Sequence, residues 1–319
     1  MNKDIIVGID IGGTNTVYGF VDGKSNYLFD KTIPTYPNKD ISEFVLRLVG
    51  SIEESKNNFF SESILSGIGI AAPGANHLNG KIESPSNFKW KDVKLGDMLK
   101  EHFDIPIAIT NDANAAALGE MFFGSAQNMK NFIMLTIGTG LGSGIVIDGK
   151  IFQGSNGHAG EMGHMNIVPN GRQCSCGNYG CLETYISVTG LRRTVFNLLS
   201  IYNEHSEMRD ISFNELTGKK ISELALNNDF IAKKAFDFTG EILGKALANA
   251  AACFDPEGII LFGGLLESGS LLMEPTEKYF EQNLLNVYKN KIKIIKSNLQ
   301  NGKAAVLGAS SLVNKYHLC

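Results

Sequence analysis

A two-domain α/β protein is predicted from three observations. Segments with strand and helix periodicity alternate along the 319 residues, a length sufficient for two cores. The 35 glycines gather mostly in short clusters, as tight turns and backbone approaching a ligand require. Val7 to Lys24, "VGIDIGGTNTVYGFVDGK", also lays without a gap over Ile133 to Lys150, "IMLTIGTGLGSGIVIDGK". Ile11 falls on Ile137, Gly12 on Gly138, and both copies end in Asp-Gly-Lys. Either two glycine-turned hairpins are alike by accident, or the fold is internally duplicated with two phosphate-facing hairpins.

The elements follow in order. "IIVGID" and "TVYGFVD" are rich in β-branched and aromatic residues, and "IGGTN" joins them as a β-hairpin. In "ISEFVLRLVGSIEESKN", Phe44, Val45, Leu48, Val49 and Ile52 share one helical face. "ILSGIGIAAPG" reads as a buried strand ending in a turn. "IPIAITNDANAAALGEMFFG" is a short strand running into an Ala-rich helix, capped by Asn111 or Asp112. The second hairpin follows. Beyond three clustered cysteines, "ISVTGLRRTVFNLLSIYNEH", "ISELALNN" and roughly Phe230 to Phe254 are helical. "EGIILFGG" is a strand, and "KAAVLGASSLVNKY" is a last helix lined with small residues.

Composition narrows the class. Hydrophobic residues at 43% and charged residues at 19% are ordinary for a globular chain. A net charge of −4 and a pI near 5.9 argue against a general binder of nucleic acid or anionic membrane. No apolar run approaches the roughly 18 residues of a transmembrane helix. Asp4 and Asp10 interrupt the stretch where a secretory signal needs an apolar core. Five cysteines, three of them close together, fit a reducing cytoplasm and a metal site better than a disulfide framework.

The chemistry-bearing residues fall into three groups. "DIGGTN" lacks the Lys-Ser/Thr ending of a Walker loop, and a strand follows it rather than a helix. Its Gly12 and Gly13 amides, with Thr14 and Asn15, form an anion-binding turn, or else an ordinary hairpin turn. Asp10 at the strand end can hold magnesium against phosphates. Gly138, Thr139 and Gly140 repeat the turn, and Gly263-Gly264 would let a flat base lie on bare backbone. Asp112, where a strand meets a helix, is either a cap or the group that takes a proton from an attacking hydroxyl. Cys174, Cys176 and Cys181 with His164 supply three thiolates and an imidazole, a set suited to structural zinc, the alternative being free thiols. Glu161 and Glu183 flank this loop, as acceptors for sugar hydroxyls or as solvated carboxylates.

In order along the chain, "DIGGTN", Pro73-Gly74, "SPSNFKW", "NDANAAALGE", "GTGLGSG", "GHAGEMGHM" and "CSCGNYGCLE" resemble the motifs of the ROK (repressors, open reading frames, kinases) sugar kinases. Among members, the sequence is most similar to bacterial ATP-dependent glucokinases. The resemblance implies an actin-like, hexokinase-type (ribonuclease H-like) fold with ATP and sugar in a cleft. It implies a small domain over 1–112, with a C-terminal helix over about 303–319 packing back on it, and a large domain over 113–302 carrying the zinc loop. By the same resemblance Asp112 is the catalytic base, and Gly74, Asn87, Asn111, Asp112, Glu161, His164 and Glu183 contact the sugar. His164 then serves zinc through one ring nitrogen and a sugar hydroxyl through the other. The expected reaction is transfer of the γ-phosphate of MgATP to the 6-hydroxyl of glucose by a cytoplasmic homodimer. The alternatives are fructose, mannose or N-acetylhexosamine kinases and a non-catalytic sugar-sensing regulator. Ala71-Ala72 and "SPSNFKW" depart from the usual pattern beside the sugar pocket and bear on substrate identity. The family's repressors carry an N-terminal helix-turn-helix, and nine residues before Asp10 leave no room for one.

Overall fold

The computed structural model describes residues 4–24, 26–83, 88–299 and 303–313. In chain order its strands are β1 (Asp4–Ile11), β2 (Asn15–Asp22), β3 (Tyr27–Pro34), β4 (Ile64–Ala71), β5 (Ala75–Asn76), β6 (Lys81–Ile82), β7 (Ile107–Thr110), β8 (Phe132–Ile137), β9 (Leu141–Ile147), β10 (Lys150–Ile151), β11 (Gly258–Phe262) and β12 (Lys293–Lys296). The helices are α1 (Ile41–Phe59), α2 (Leu95–Lys100), α3 (Asp112–Phe123), α4 (Val188–Ile201), α5 (Gly218–Leu226), α6 (Phe230–Phe254), α7 (Ser270–Asn283) and α8 (Lys303–Ser311).

The chain forms two compact units, Met1–Asn128 with Gly149–Ala159 and Asn298–Cys319, and Met129–Asp148 with Gly160–Ser297. The boundary expected after residue 112 would fall at the start of α3, but that helix stays in the first unit. Close packing against α8 explains this: a Cβ on Gly308 would lie 1.6 Å from the Ala115 carbonyl oxygen. The same helix presses on the sheet, where a Cβ on Gly69 would come within 1.7 Å of the Ala309 carbonyl oxygen. Small residues along α8 therefore let backbone meet backbone.

In the first unit the strand order is β3-β2-β1-β4-β7. The β1–β2 pair is antiparallel, and β1–β4 and β4–β7 are parallel. Parallel neighbours need a crossover, which α1 supplies between β3 and β4. Asp40 caps α1 by accepting from the Ser42 amide, and the helix buries Phe44, Val45, Leu48, Val49 and Ile52. Each such side chain contributes about 1.5–3 kcal/mol on burial. In the second unit β9–β8 is antiparallel and β8–β11 and β11–β12 are parallel, the same sequence of pairings as β2-β1-β4-β7 in the first. The duplication expected from the sequence is thus present as repeated topology.

Its register is not the ungapped one. Ile11 pairs with Thr16, whereas Ile137 pairs with Leu141, so the first turn holds one more residue than the second. Burial follows the pairing: residues 16–22 and 141–147 share one pattern, offset by one from the ungapped superposition. A one-residue slip would turn each side chain to the opposite face, and burial of the inner face prevents it.

Candidate functional site

In the first unit, three parallel strands deliver their carboxyl ends to one edge of the sheet. Asp10 of β1 pairs with Ala71 of β4, and Ala71 with Thr110 of β7. Loops beyond such strand ends are where open α/β sheets take ligands. The Gly12–Asn15 turn leaves β1, the Ala72–Gly74 turn leaves β4, and Asn111-Asp112 leaves β7.

Gly12 donates to the Asn15 carbonyl at 3.0 Å, closing the first turn. A Cβ on Gly12 would sit 2.8 Å from that oxygen, whereas one on Gly13 would meet nothing. Gly13, Thr14 and Asn15 are exposed. The turn is held from behind by buried Thr35, whose hydroxyl donates to the Gly12 carbonyl at 2.8 Å and whose amide donates to the Thr14 carbonyl at 2.9 Å. Thr35 Oγ1 also lies 2.9 Å from Thr16 Oγ1. Nothing in the sequence marks Thr35, because its link to the turn is made across the sheet.

Asn111 is the N-cap of α3, accepting from the Ala113 amide at 2.8 Å, and Asp112 Oδ1 accepts from the same amide at 2.9 Å. The capping alternatives are thereby resolved: Asn111 caps, and Asp112 opens the helix. The Asp10 carboxyl is pushed up from 3.8 to about 7, first by burial and second by the charge of Asp112. Two carboxyl groups therefore feel each other at the strand ends, a disposition suited to a divalent cation or a shared proton. Gly74 follows the buried Ala71-Ala72 pair and takes φ +66°, a conformation that favours glycine. Asn87 lies outside the described residues.

In the second unit, the His164 Nδ1 and the sulfurs of Cys174, Cys176 and Cys181 form a cluster whose ligand atoms all lie within 4.8 Å of one another. Cys174 Sγ is 3.7 Å from His164 Nδ1, and the Cys176 and Cys181 sulfurs are 3.7 Å apart. Tetrahedral zinc with Zn–S near ~2.3 Å requires sulfurs about 3.8 Å apart, so the donor set fits that ion. The Asn178 backbone, as the first of several causes, draws the Cys176 thiol down to about 7. Burial first, then the neighbouring sulfurs, pushes Cys181 up to about 12. The other ring nitrogen of His164, Nε2, lies 3.9 Å from Glu161 Oε2.

The loop is braced by Arg172, whose guanidinium donates to the Thr184 and Gly190 carbonyls at 2.9 and 3.0 Å and lies over the Tyr185 ring. Glu183 is not simply solvated: its Oε2 accepts from the Leu141 amide at 3.0 Å. Leu141 begins β9, directly after the second glycine turn. Gly138 and Gly264 face open space, while a Cβ on Gly263, at φ +119°, would strike the Ile137 carbonyl at 2.3 Å. Gly263 is therefore demanded by the sheet, and Gly264 leaves bare backbone exposed.

These features define an α/β protein of actin-like, hexokinase-type fold. One unit holds an acidic pair and a glycine turn, and the other a cluster of one histidine and three cysteines beside a second glycine turn. The chain belongs to the ROK family, whose family model matches residues 6–316. It is 36% identical over 279 residues to a glucokinase of Halalkalibacterium halodurans, covering 86% of this chain and 84% of that protein. It is 35% identical over 255 residues to the xylose repressor of Bacillus spizizenii, covering 80% of this chain and 62% of the repressor. A ROK family glucokinase from Streptomyces griseus, solved with glucose and AMPPNP, superposes with a TM-score of 0.81 at 31% identity, covering 98% of this chain and 99% of that one.

Proposed function

We propose that this protein is an ATP-dependent hexose kinase that phosphorylates the 6-hydroxyl, with D-glucose as the first substrate to test. The observation that carries this reading is the Asp10–Asp112 pair at the strand ends beside an exposed, braced glycine turn. Likeness to glucokinases supports it.

On this reading Asp112 is the base. Its carboxylate orients the attacking hydroxyl and takes its proton late, since phosphoryl transfer through a loose transition state needs position more than basicity. The Gly13 amide, with Thr14 and Asn15, and the amides of Thr139 and Gly140 hold the nucleotide phosphates, while Gly12 and Gly138, whose own amides donate within the turns, let the backbone approach them. Gly263 and Gly264 take the base. Asp10 holds magnesium, which neutralises phosphate charge when bound. Gly74, Asn87, Asn111, Glu161, His164 and Glu183 contact the sugar. His164, Cys174, Cys176 and Cys181 hold a structural zinc; a full protein coordination sphere leaves it no open position, so it orients side chains. A cytoplasmic homodimer belongs to the same proposal. Among the described residues no helix is long and apolar enough to cross a membrane.

A second reading, a sugar-responsive regulator without turnover, is favoured by the likeness to the xylose repressor. ADP release measured across glucose, fructose, mannose and N-acetylhexosamines separates the two. Turnover on one hexose is expected, with kcat falling at least ~100-fold in Asp112→Asn while sugar still binds. Sugar binding without ADP release, or normal turnover in Asp112→Asn, would overturn the assignment.

A further inference from the structure

Among the described contacts of the second unit, Glu183 is the side chain that joins the histidine–cysteine cluster to the second glycine turn. Its Oε2 accepts from the Leu141 amide at 3.0 Å, and its Oε1 lies 3.8 Å from Cys174 Sγ. The turn is shaped to receive it. A Cβ on Gly140 would lie 2.5 Å from Glu183 Oε2 and 3.5 Å from its Cδ, with nothing else within 4 Å. A side chain at 140 would therefore meet that carboxylate and displace it from the Leu141 amide.

The backbone of Glu183 is in turn fixed by the cluster's own residues. The Thr184 amide and hydroxyl both donate to the carbonyl of Cys181, at 3.0 and 2.7 Å. The Leu182 amide donates to the carbonyl of Met165, next to His164, at 2.9 Å. Ser187 Oγ donates to the Glu183 carbonyl at 2.8 Å. A metal bound by His164 and Cys181 thus holds both brackets of a short turn whose central side chain supports Leu141.

We propose that Glu183 is a positioning residue that transmits occupancy of the His164–Cys174–Cys176–Cys181 cluster to the 138–141 turn. This rests on the kinase reading, in which that turn faces the nucleotide phosphates. A metal otherwise concerned with the cluster then also sets how firmly the turn holds nucleotide. Two other links between these regions, the Val188 amide donating to the Gly138 carbonyl at 3.0 Å and the close packing of Gly163, next to His164, on the Leu141 carbonyl, do not pass through the Glu183 side chain, so substitutions at Glu183 separate its route from theirs.

Two measurements test it. The first is hydrogen exchange of the 138–142 segment in zinc-loaded protein and after chelation. Removal of zinc is expected to speed exchange about tenfold in the wild type, the equivalent of one lost hydrogen bond. Glu183→Ala is expected to exchange fast whether loaded or stripped, and Glu183→Gln, which keeps an acceptor oxygen, to retain protection. A zinc effect of equal size in Glu183→Ala, or no zinc effect in the wild type, overturns the proposal. The second is a double-mutant cycle read by AMPPNP affinity. Gly140→Ala is expected to weaken binding about tenfold alone and not at all in a Glu183→Ala background. Additive losses count against the proposal. If the wild type takes no AMPPNP, the kinase reading fails, while the exchange experiment still decides the role of Glu183.

Discussion

Asp10→Asn removes a charge that the first unit holds at a cost. The carboxyl titrates near 3.8 when unfolded and near 7 when folded, raised by burial and then by Asp112. Between those values the folded chain binds the proton more tightly than the unfolded one. The stability this contributes is full below 3.8 and is lost as pH rises through 7. From pH 5 to pH 8 the loss amounts to about 2.5 kcal/mol, each tenfold difference in proton affinity being worth about 1.4 kcal/mol. The amide of Asn does not titrate, so the wild type should lose about that much stability relative to Asp10→Asn over the interval. The assay is urea unfolding in magnesium-free buffer, followed by the fluorescence of the single tryptophan. Trp90 is well placed for this, since it is buried in the same unit against Phe44 and Phe88. Asp112→Asn should reduce the effect without abolishing it, because burial is the larger cause. A difference between wild type and Asp10→Asn that stays constant from pH 5 to pH 8 would refute the reasoning.

The remaining predictions concern the cluster and the packing. Purified protein should carry one zinc per chain by elemental analysis, and Cys176→Ser should reduce it. Chelation from about 100 times the Kd should withdraw about 2.7 kcal/mol of stability, seen as a lower Tm by calorimetry. Absence of zinc together with an unchanged Tm would count against the site. Gly308→Ala should destabilise by about 1–3 kcal/mol or more, because its Cβ meets backbone that cannot yield. Gly50→Ala on α1, where a Cβ meets nothing, should stabilise by about 0.5–1 kcal/mol; equal effects at the two sites would contradict the packing described.

Much of the site was legible because its residues are close in sequence. The spacing of Cys174, Cys176 and Cys181 with His164 upstream is already that of a chelating loop, and the four donors do converge. The Asn111 cap and the two glycine turns were readable for the same reason, as local backbone chemistry. Helix α7 was not. Glycines at its start and Pro275 within it read as breakers, yet it forms because it packs on α6, where a Cβ on Gly240 would lie 2.7 Å from the Pro275 ring. Strand β3 was not assigned either, because exposed Leu28 and partly buried Lys31 blur the polar pattern, although its burial alternates as an edge strand exposed on one face requires.

The sequence by itself determined the two hairpins, most of the other strands and helices, the chelating loop and the family pattern, since each rests on neighbours within a few residues. Only the tertiary structure decided the one-residue difference in hairpin register, the Thr35 brace, the charge that Asp112 imposes on Asp10, and the engagement of Glu183 by Leu141. Those depend on strands and loops far apart in the chain being brought within a few ångströms, and no local spacing encodes such a distance.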